Sequence, residues 1–215
     1  MARPASTSTS ETFIHRFEPA TGPGRAPLLL LHGTGGDETD LLPLGRTVAP
    51  GAALLSPRGR TLEAGMPRFF RRLAEGVFDE DDLRRRTHEL ADFVEEARVQ
   101  YGLPAPIALG FSNGANIAAA MLLLRPEVLS GAVLLRAMTP FLKPPAAALA
   151  ARPVLIVSGS LDPIVPEENA ARLAATLAGA GATVEHRTLP TGHGLSQADL
   201  RLVRDWLAER PVPAE

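Results

Sequence analysis

Short apolar runs that alternate with helix-like segments constrain the fold of this 215-residue chain more than any other feature. Most of the runs are apolar along their whole length, as strands are when both faces of a sheet are covered. The candidate strands are residues 12–17, 27–33, 51–57, 106–112, 131–137, 153–160 and 183–190. The helical patterns between them are residues 79–102, 113–124, 166–181 and 196–210. This alternation predicts an α/β fold, with a mostly parallel, twisted sheet of about seven strands and helices on both faces.

The length of the chain favours a simple domain organisation. A chain of this size suits one domain and leaves little room for two. We expect a single domain over residues 12–215, preceded by a disordered polar tail at residues 1–11. No long insertion separates the candidate strands, so we expect no large lid. In an open α/β sheet the functional site lies at the carboxyl ends of the strands.

The composition excludes several classes of function. The chain has no cysteine, which excludes disulfides, thiolate zinc sites and cysteine nucleophiles. Its histidines do not fall at metal-ligand spacing, so we expect no metal. The net charge of −2 gives no electrostatic reason to expect nucleic acid or an anionic membrane as a partner. No apolar stretch approaches the roughly 20 residues that span a bilayer, and the N-terminus lacks the apolar core of a signal peptide, so we expect a cytoplasmic location without stable membrane insertion.

The pentapeptide Gly-Phe-Ser-Asn-Gly at residues 110–114 indicates chemistry at Ser112. It matches the G-x-S-x-G pattern, which follows a strand and opens a helix in enzymes with a nucleophilic serine. Both flanking elements are predicted here, and the two glycines leave room for a tight, strained turn. The alternative is that Ser112 only caps the N-terminus of the following helix.

A serine hydroxyl is a poor nucleophile without a base, and the stretch Pro-Thr-Gly-His-Gly offers His193. This histidine lies between two glycines, after the last candidate strand and before the last helix, where an imidazole would be accessible. His186 is the alternative base, but it lies within a candidate strand.

The base needs a group that orients it, and Asp162 follows the end of a candidate strand. A carboxylate in this place can accept a hydrogen bond from the imidazole and fix its tautomer. The alternative is an Asp-Pro turn without a catalytic role, and Glu167 and Glu168 are weaker candidates because they begin a helix. The chain order Ser112, Asp162, His193 is the order that α/β-hydrolases use.

A glycine-rich loop at residues 32–38 offers a second group of interest. In folds with a nucleophilic serine of this kind, such a loop supplies one backbone N–H to an oxyanion hole, and the residue after the serine supplies the other. We assign these N–H groups to Thr34 and Asn113. The loop lacks the spacing of a dinucleotide or phosphate-binding loop, so no nucleotide cofactor is expected. His32 is expected to have a structural role beneath the loop.

With these four features in order, the sequence resembles the phospholipase/carboxylesterase family of the α/β-hydrolases, relatives of the acyl-protein thioesterases and dienelactone hydrolases. The resemblance covers residues 28–196 and rests on "LLLLHGTGGDETDLLPL", "SPRG", "MPRFFRR", "GFSNGANIA", "SGSLDPIVP" and "PTGHGLS". It implies an α/β-hydrolase fold and a serine hydrolase of small carboxylic esters that uses no cofactor. The site residues that it implies are the triad Ser112, Asp162 and His193, with oxyanion donors at Thr34 and Asn113.

Two departures from the relatives narrow what the resemblance implies. Dienelactone hydrolases use a cysteine nucleophile, which this chain lacks. The loop sequence His-Gly-Thr-Gly-Gly also differs from the His-Gly-Leu-Gly-Asp type of acyl-protein thioesterases, which weakens any transfer of their lipidated substrates.

Substrate specificity is expected to come from loops near the strand ends. The candidate substrate-binding residues are Arg58, Met66, Phe69, Phe70, Met138, Leu161 and Val165. Four residues of segment 61–78 either cover the site as a short flap or pack against the sheet edge: Met66, Phe69, Phe70 and Phe78. Arg58 either contacts a polar or anionic substrate or forms an ordinary solvated ion pair. Met138, Leu161 and Val165 are expected to line an apolar acyl pocket.

These residues together predict a serine carboxylesterase that hydrolyses small, short-to-medium-chain esters through an acyl-enzyme on Ser112. A thioesterase, a lysophospholipase or an amidase on the same triad remains an alternative, because the leaving group is selected by the shape of the pocket. A non-catalytic ligand-binding protein of the same fold is an alternative from a different class. The expected partner is a small-molecule ester, and a homodimer through an exposed helix or edge strand is compatible with the sequence.

Overall fold

The computed structural model describes residues 13–22 and 24–210, so the tail predicted at residues 1–11 lies outside the described residues. The strands are β1 (His15–Glu18), β2 (Leu28–Leu31), β3 (Leu54–Pro57), β4 (Thr61–Glu63), β5 (Met66–Arg68), β6 (Arg72–Ala74), β7 (Val77–Phe78), β8 (Ile107–Phe111), β9 (Gly131–Leu135), β10 (Pro153–Gly159) and β11 (Thr183–Leu189). The helices are α1 (Leu42–Val48), α2 (Glu80–Tyr101), α3 (Asn113–Leu124), α4 (Glu167–Gly179) and α5 (Gln197–Ala208), with a 3₁₀ turn at Pro126–Val128.

Seven of these strands form the main sheet, in the order β1-β3-β2-β8-β9-β10-β11. Strand β1 runs antiparallel to β3, and the other neighbouring strands of this sheet are parallel. The mostly parallel seven-stranded sheet that the sequence predicts is therefore confirmed. The carboxyl ends of β8, β9 and β10 lie side by side, which brings the segments that follow them to one edge of the sheet.

Strand β2 illustrates why the sheet needs apolar cover on both faces. Successive side chains of a strand point to opposite faces, so four consecutive leucines require two apolar layers. Leu29 and Leu31 belong to the core shared with α2, α3 and α4. Leu28 and Leu30 belong to a second core, which contains side chains of α1 and α5.

Helix α3 follows Ser112 directly and is buried on almost every side. Eleven of its residues are buried, as its nearly uniform apolar sequence predicts. Helix α2, which packs against it, begins at the predicted acidic turn, where Asp79 accepts a hydrogen bond from the N–H of Asp82 at 3.0 Å. It ends at Gly102, which adopts a φ of 64°. None of the helices in the described part of the chain is both long enough and apolar enough to cross a bilayer.

Residues 61–78 fold as two small antiparallel hairpins that the sequence pattern does not predict. Strands β4 and β5 form one hairpin and β6 and β7 the other. Their strands are only two or three residues long, and β4, β5 and β6 each carry a charged side chain, so they lack the apolar alternation that indicates a strand. Helix α1 has only seven residues, which is too short for its sequence to show a clear helical periodicity. The hairpins are short, and no larger insertion interrupts the described part of the sheet.

Candidate active site

Ser112 lies on a sharp turn between β8 and α3. Its backbone has a φ of 52° and a ψ of −113°, in a region that non-glycine residues rarely occupy. Two glycines permit the close approach of the chain here. A Cβ on Gly110 would lie 2.5 Å from the carbonyl oxygen of Gly114, and a Cβ on Gly114 would overlap the carbonyl oxygen of Leu31. The strained turn expected from the pentapeptide is therefore present.

The side chain of Ser112 does not cap helix α3. It makes no hydrogen bond to the first N–H groups of the helix, so the capping alternative is wrong. Its Oγ lies 3.0 Å from Nε2 of His193 instead. The backbone of Ser112 is held on both sides, because its N–H donates to the carbonyl of Leu135 at 2.8 Å and its carbonyl accepts from the N–H of Asn116 at 3.0 Å.

Asp162 contacts the other side of the same imidazole. Its Oδ2 accepts a hydrogen bond of 2.8 Å from Nδ1 of His193, and its side chain is fully buried, whereas the His193 side chain is 20% exposed. The Oδ1 atom of Asp162 accepts from the N–H groups of Ile164 at 2.8 Å and Val165 at 3.1 Å. Asp162 therefore forms the turn that the Asp-Pro alternative supposed, and it contacts His193 at the same time.

His186 is placed away from this arrangement. Its Nε2 lies 2.6 Å from Oγ of Ser158, on the neighbouring strand β10. Burial lowers the pKa of His186, and the nearby Glu167 partly opposes that shift. The pair that His186 forms with Ser158 belongs to the sheet, and His193 is the histidine that contacts Ser112.

Thr34 and Asn113, the candidate oxyanion donors, are both tied to strand β5 and the residue after it. The hydroxyl of Thr34 accepts a hydrogen bond of 2.7 Å from Nη1 of Arg68. The side-chain Oδ1 of Asn113 accepts one of 2.8 Å from the N–H of Phe69. The N–H of Gly35 donates to the carbonyl of Pro67 at 2.9 Å. One short stretch of chain therefore braces the loop after β2 and the first residue of α3.

Arg68 is a site residue that the sequence did not reveal. Its side chain is only 3% exposed, and burial lowers the pKa of its guanidinium. It pairs with Glu63 at 3.2 Å, donates to the carbonyl of Phe70 at 3.2 Å, and reaches Thr34. An arginine in a charged hairpin carries no local signal that it is buried, so only its partners show its role.

His32 has the structural role that the sequence predicts. Its ring is buried, with Nδ1 donating to the carbonyl of Gly33 at 2.6 Å and Nε2 accepting from the N–H of Gly59 at 3.0 Å. Burial lowers the pKa of His32, although the hydrogen bond to Gly33 opposes the shift. The neutral ring therefore joins the loop after β2 to the loop after β3.

Comparison with known proteins assigns this architecture to a family. The sequence profile of the Phospholipase/Carboxylesterase family matches residues 15–210. The chain belongs to this family.

Individual relatives agree with the family assignment. MhqD of Bacillus subtilis (strain 168), which is named as a hydrolase, is 47% identical over 187 residues, covering 86% of this chain and 94% of MhqD. The carboxylesterase of Bacillus cereus superposes with a TM-score of 0.90 at 43% identity, over 93% of this chain and 95% of that one. The carboxylesterase of Mesorhizobium loti gives a TM-score of 0.87 at 36% identity, over 95% and 98% of the two chains. The predicted α/β-hydrolase fold is thereby confirmed, and membership of this hydrolase family indicates an enzyme.

Four of the predicted substrate-binding residues lie around the Ser112 edge of this phospholipase/carboxylesterase fold. Val165 donates its N–H to Asp162, and the N–H of Leu161 donates to the carbonyl of Thr191. Met138 donates its N–H to Oδ1 of Asn116 at 2.7 Å. Asn116 lies on α3, one helical turn after Ser112. A fourth residue, Met66, packs its thioether against the glycine that follows Thr34. Leu161 and Met66 are exposed, whereas Val165 and Met138 are buried.

Phe69 and Phe70 do not form an exposed flap. Their side chains are 3% and 0% exposed and belong to the larger core. The ring of Phe69 lies 4.7 Å from that of His32, and the ring of Phe70 packs edge-on against Phe78. The packing interpretation is therefore correct for both, because two apolar rings gain more by joining the core than by facing water.

Arg58 is engaged by acidic residues. Its Nε and Nη2 donate to the two carboxylate oxygens of Glu38 at 2.5 and 2.9 Å, and Asp37 lies 3.9 Å away. The hydrogen bond from Arg58 lowers the pKa of Glu38, and burial partly opposes this shift. The ion-pair interpretation of Arg58 is therefore the correct one. Its guanidinium already donates hydrogen bonds to both carboxylate oxygens of Glu38.

A cavity of about 400 Å³ opens beside the segment that follows β9. Its wall is formed by the β6–β7 hairpin, Glu80 of α2, residues 139–142, Pro144 and helix α4. The tip of the hairpin approaches Met138, since a Cβ on Gly76 would lie 3.5 Å from the Met138 methyl carbon. Phe78 and Phe141 give the cavity an apolar side, and Arg172 gives it a charged one.

Proposed function

We propose that this chain is a serine carboxylesterase that hydrolyses small, short-to-medium-chain esters. The observation that carries this proposal is the path of hydrogen bonds through His193, with 3.0 Å to Oγ of Ser112 on one side and 2.8 Å to Oδ2 of Asp162 on the other. A nucleophile in contact with a base, and a base in contact with a buried carboxylate, is the arrangement that acyl transfer requires.

In the proposed acylation step, Oγ of Ser112 attacks the ester carbonyl carbon while its proton passes to Nε2 of His193. Asp162 stabilises the imidazolium that forms, because its carboxylate faces Nδ1. The carbon–oxygen bond to the alcohol then breaks, and the departing oxygen takes the proton from Nε2. The acyl group remains on Ser112 as an ester.

In the proposed deacylation step, a water molecule replaces the alcohol. Nε2 of His193 takes a proton from the water as its oxygen attacks the acyl carbon. The bond between this carbon and Oγ of Ser112 then breaks, and the serine oxygen regains the proton from His193. The carboxylic acid leaves, and the site returns to its starting state without any cofactor.

The proposed oxyanion hole uses the backbone N–H groups of Thr34 and Asn113. Asn113 is the first residue of α3, so its N–H belongs to the positive end of the helix dipole. Among the described residues, neither N–H has a hydrogen-bond acceptor, which leaves both available to a developing negative charge. The bonds from β5 and Phe69 to the side chains of Thr34 and Asn113 would hold these donors in place.

We infer that the acyl chain of the substrate extends from Ser112 past Met138 toward the neighbouring cavity, whose lining residues do not include Ser112, Asp162 or His193. A volume of about 400 Å³ is at the lower end of the range for small-molecule sites. Its apolar wall, with Phe78 and Phe141, suits a short-to-medium acyl chain. The β6–β7 hairpin beside it is too short to form a large lid for a lipid surface, which favours dissolved esters.

A thioesterase, a lysophospholipase or an amidase would use the same three side chains, and the leaving group separates these activities. We therefore propose to measure hydrolysis of p-nitrophenyl esters from acetate to laurate beside an acyl thioester and an anilide. The expected result is turnover of the shorter oxygen esters, with a decline as the chain outgrows the cavity. Faster turnover of the thioester or the anilide would favour those alternatives.

The decisive variant is Ser112→Ala, and the chain provides a matched control in Ser158→Ala. Both serines contact a histidine, at 3.0 Å for Ser112 and 2.6 Å for Ser158. Loss of the proposed nucleophile should lower kcat by roughly a millionfold, whereas Ser158→Ala should retain wild-type turnover. If no substrate is cleaved by the wild type, and no phosphonate reagent labels it, the result would favour the alternative of a ligand-binding protein of this fold.

A further inference from the structure

Arg136 occupies an unusual position directly after β9. Its backbone has a φ of 56°, in the left-handed region, although it is not a glycine. Its side chain is fully buried, and its N–H donates to the carbonyl of Val157 at 2.9 Å. A conformation of this kind persists only where surrounding contacts fix it, and such positions cluster at functional sites.

The guanidinium of Arg136 holds the loop that carries His193. Its Nε donates to the carbonyl of Gly192 at 3.0 Å, and its Nη2 donates to the carbonyl of Gly194 at 3.2 Å. Nη2 also lies 3.0 Å from the hydroxyl oxygen of Thr191, and its two hydrogens are shared among this oxygen, the Gly194 carbonyl and a carboxylate oxygen of Asp199. The backbone carbonyls immediately before and after His193 are therefore attached to one rigid, planar group.

The same guanidinium is anchored to the start of helix α5. Nη1 and Nη2 donate to the two carboxylate oxygens of Asp199 at 2.8 and 3.0 Å, and both side chains are fully buried. Asp199 in turn accepts from the N–H and the hydroxyl of Ser196, at 2.7 and 2.8 Å. Burial alone would raise the pKa of Asp199, but the bonds from Arg136 and Ser196 outweigh it and lower that pKa.

Ser112, the other member of the proposed catalytic pair, is attached through its backbone to Leu135, the residue before Arg136. The carbonyl of Leu135 accepts the N–H of Ser112 at 2.8 Å. Two consecutive residues at the end of β9 therefore fix the backbone of Ser112 and the backbone around His193. The distance between the serine oxygen and the imidazole depends on both attachments.

We propose that Arg136 is a positioning residue, which holds the imidazole of His193 within hydrogen-bond distance of the hydroxyl of Ser112. This inference rests on the proposed function. A buried ion pair is on its own weak evidence for stability, because apolar groups of similar volume often serve as well. The Arg136–Asp199 pair differs because the guanidinium also makes three hydrogen bonds to the loop of residues 191–194 and so fixes the position of that loop. A lysine could not reproduce this arrangement with its single ammonium group.

The test is the variant Arg136→Lys, which keeps the positive charge opposite Asp199 but loses the planar guanidinium that bonds the loop and the carboxylate together. Because a misplacement of about 1 Å near the reacting atoms costs on the order of a hundredfold, we expect kcat for p-nitrophenyl acetate to fall about 100-fold. KM should stay within about twofold, since the substrate pocket is not altered. Complete reaction with a p-nitrophenyl phosphonate should still label one serine per chain, at a rate lowered by a similar factor.

Arg125→Lys is the matched control. Arg125 bonds three carboxylates, those of Asp92, Glu95 and Glu127, at 2.6 to 2.7 Å, and lies at the opposite end of α3 from Ser112. This variant should keep the wild-type kcat. If Arg136→Lys does not fold, Thr191→Val tests the same attachment, because it removes one bond and leaves the pair with Asp199 intact. The loss of one such bond should lower kcat about fivefold.

Three outcomes would overturn the inference. One is a folded Arg136→Lys enzyme with wild-type kcat. Another, where Arg136→Lys does not fold, is a folded Thr191→Val enzyme with wild-type kcat. The third is a rise in KM at constant kcat. A wild-type enzyme that is inactive, or whose activity survives Ser112→Ala, would instead refute the proposed function, so the two failures are distinguishable.

Discussion

The buried carboxylate of Asp162 accepts a hydrogen bond of 2.8 Å from Nδ1 of His193, 31 residues further along the chain. Its two oxygens have separate tasks. Oδ1 accepts the N–H groups of Ile164 and Val165, and only Oδ2 faces the imidazole. This division determines what an amide in the same place would do.

The first prediction concerns Asp162→Asn. The amide oxygen of the asparagine should remain with the two backbone N–H groups, which turns its NH₂ toward Nδ1 of His193. The imidazole must then carry its proton on Nε2, where it cannot accept one from Ser112. We expect kcat to fall by roughly 10⁴-fold, as the same change does in serine proteases.

Ester hydrolysis by Asp162→Asn should be measured beside Asp205→Asn, which removes an exposed carboxylate of helix α5. The control should keep wild-type turnover. A wild-type rate in Asp162→Asn would show that the contact with His193 has no catalytic consequence.

The second prediction separates two arginines that share Glu63. Arg68 and Arg72 both pair with that carboxylate, at 3.2 and 2.7 Å, but only Arg68 reaches Thr34. Complete loss of an oxyanion donor costs about 10² to 10³-fold in kcat, so a loosened loop should cost less. We expect about a tenfold lower kcat for Arg68→Met at similar KM, and little change for Arg72→Met. Equal effects of the two variants would show that the ion pair, and not the contact with Thr34, matters.

The third prediction concerns the turn that presents Ser112. A Cβ at Gly114 would overlap the carbonyl oxygen of Leu31, and backbone atoms cannot move aside as a flexible side chain can. Gly114→Ala should therefore lower the free energy of unfolding by about 1–3 kcal/mol, as overpacking does, and reduce activity. Gly179→Ala is the control, since its Cβ would meet nothing within 4 Å. Urea unfolding of both variants, followed by circular dichroism, tests this. Unchanged stability in Gly114→Ala would contradict the tightness of the turn.

The fourth prediction concerns pH. Burial lowers the pKa of His32 below the value near 6.5 that an unfolded chain would give it. The unfolded state therefore binds more protons between these two values, and the free energy of unfolding should fall as the pH drops from about 7.5 to about 5.5. The half-buried His186 contributes in the same direction.

The measurement for this prediction is urea unfolding at several pH values in that window, on wild type and His32→Gln. The variant should be less stable at neutral pH, because its bonds to the two loops are lost, but its stability should depend less on pH. A slope in His32→Gln that equals the wild-type slope would contradict the assignment.

Much of this architecture is predictable from the sequence because its signals are local. Strand β2 reads as a strand buried on both faces because its four leucines are consecutive. The turn at Ser112 can be predicted because Gly110, Ser112 and Gly114 form a pattern within five consecutive residues, although the contact that requires a glycine at position 114 is with the distant Leu31. The structure also brings together the three side chains that the order Ser112, Asp162, His193 selects.

The features that escape prediction depend on distant partners. Arg136 is buried because Asp199, 63 residues away, accepts its hydrogen bonds, and no pattern around Arg136 indicates that. Arg58 is similarly occupied by Glu38. Phe69 and Phe70 are compatible with an exposed flap or a buried turn when only their neighbours in the chain are known. Local composition does not distinguish between such alternatives, because tertiary packing determines which of them forms.

The first measurement to make is the location of the covalent adduct that a p-nitrophenyl phosphonate leaves on the protein. The wild-type chain, reacted to completion and digested, should carry one phosphonyl group, on the peptide that contains Ser112, and fragmentation should place it on that serine. Ser112→Ala should remain unmodified, while Ser158→Ala should be labelled like the wild type. An adduct on another side chain, or no adduct on a protein that cleaves esters, would contradict the assignment of Ser112 as the nucleophile.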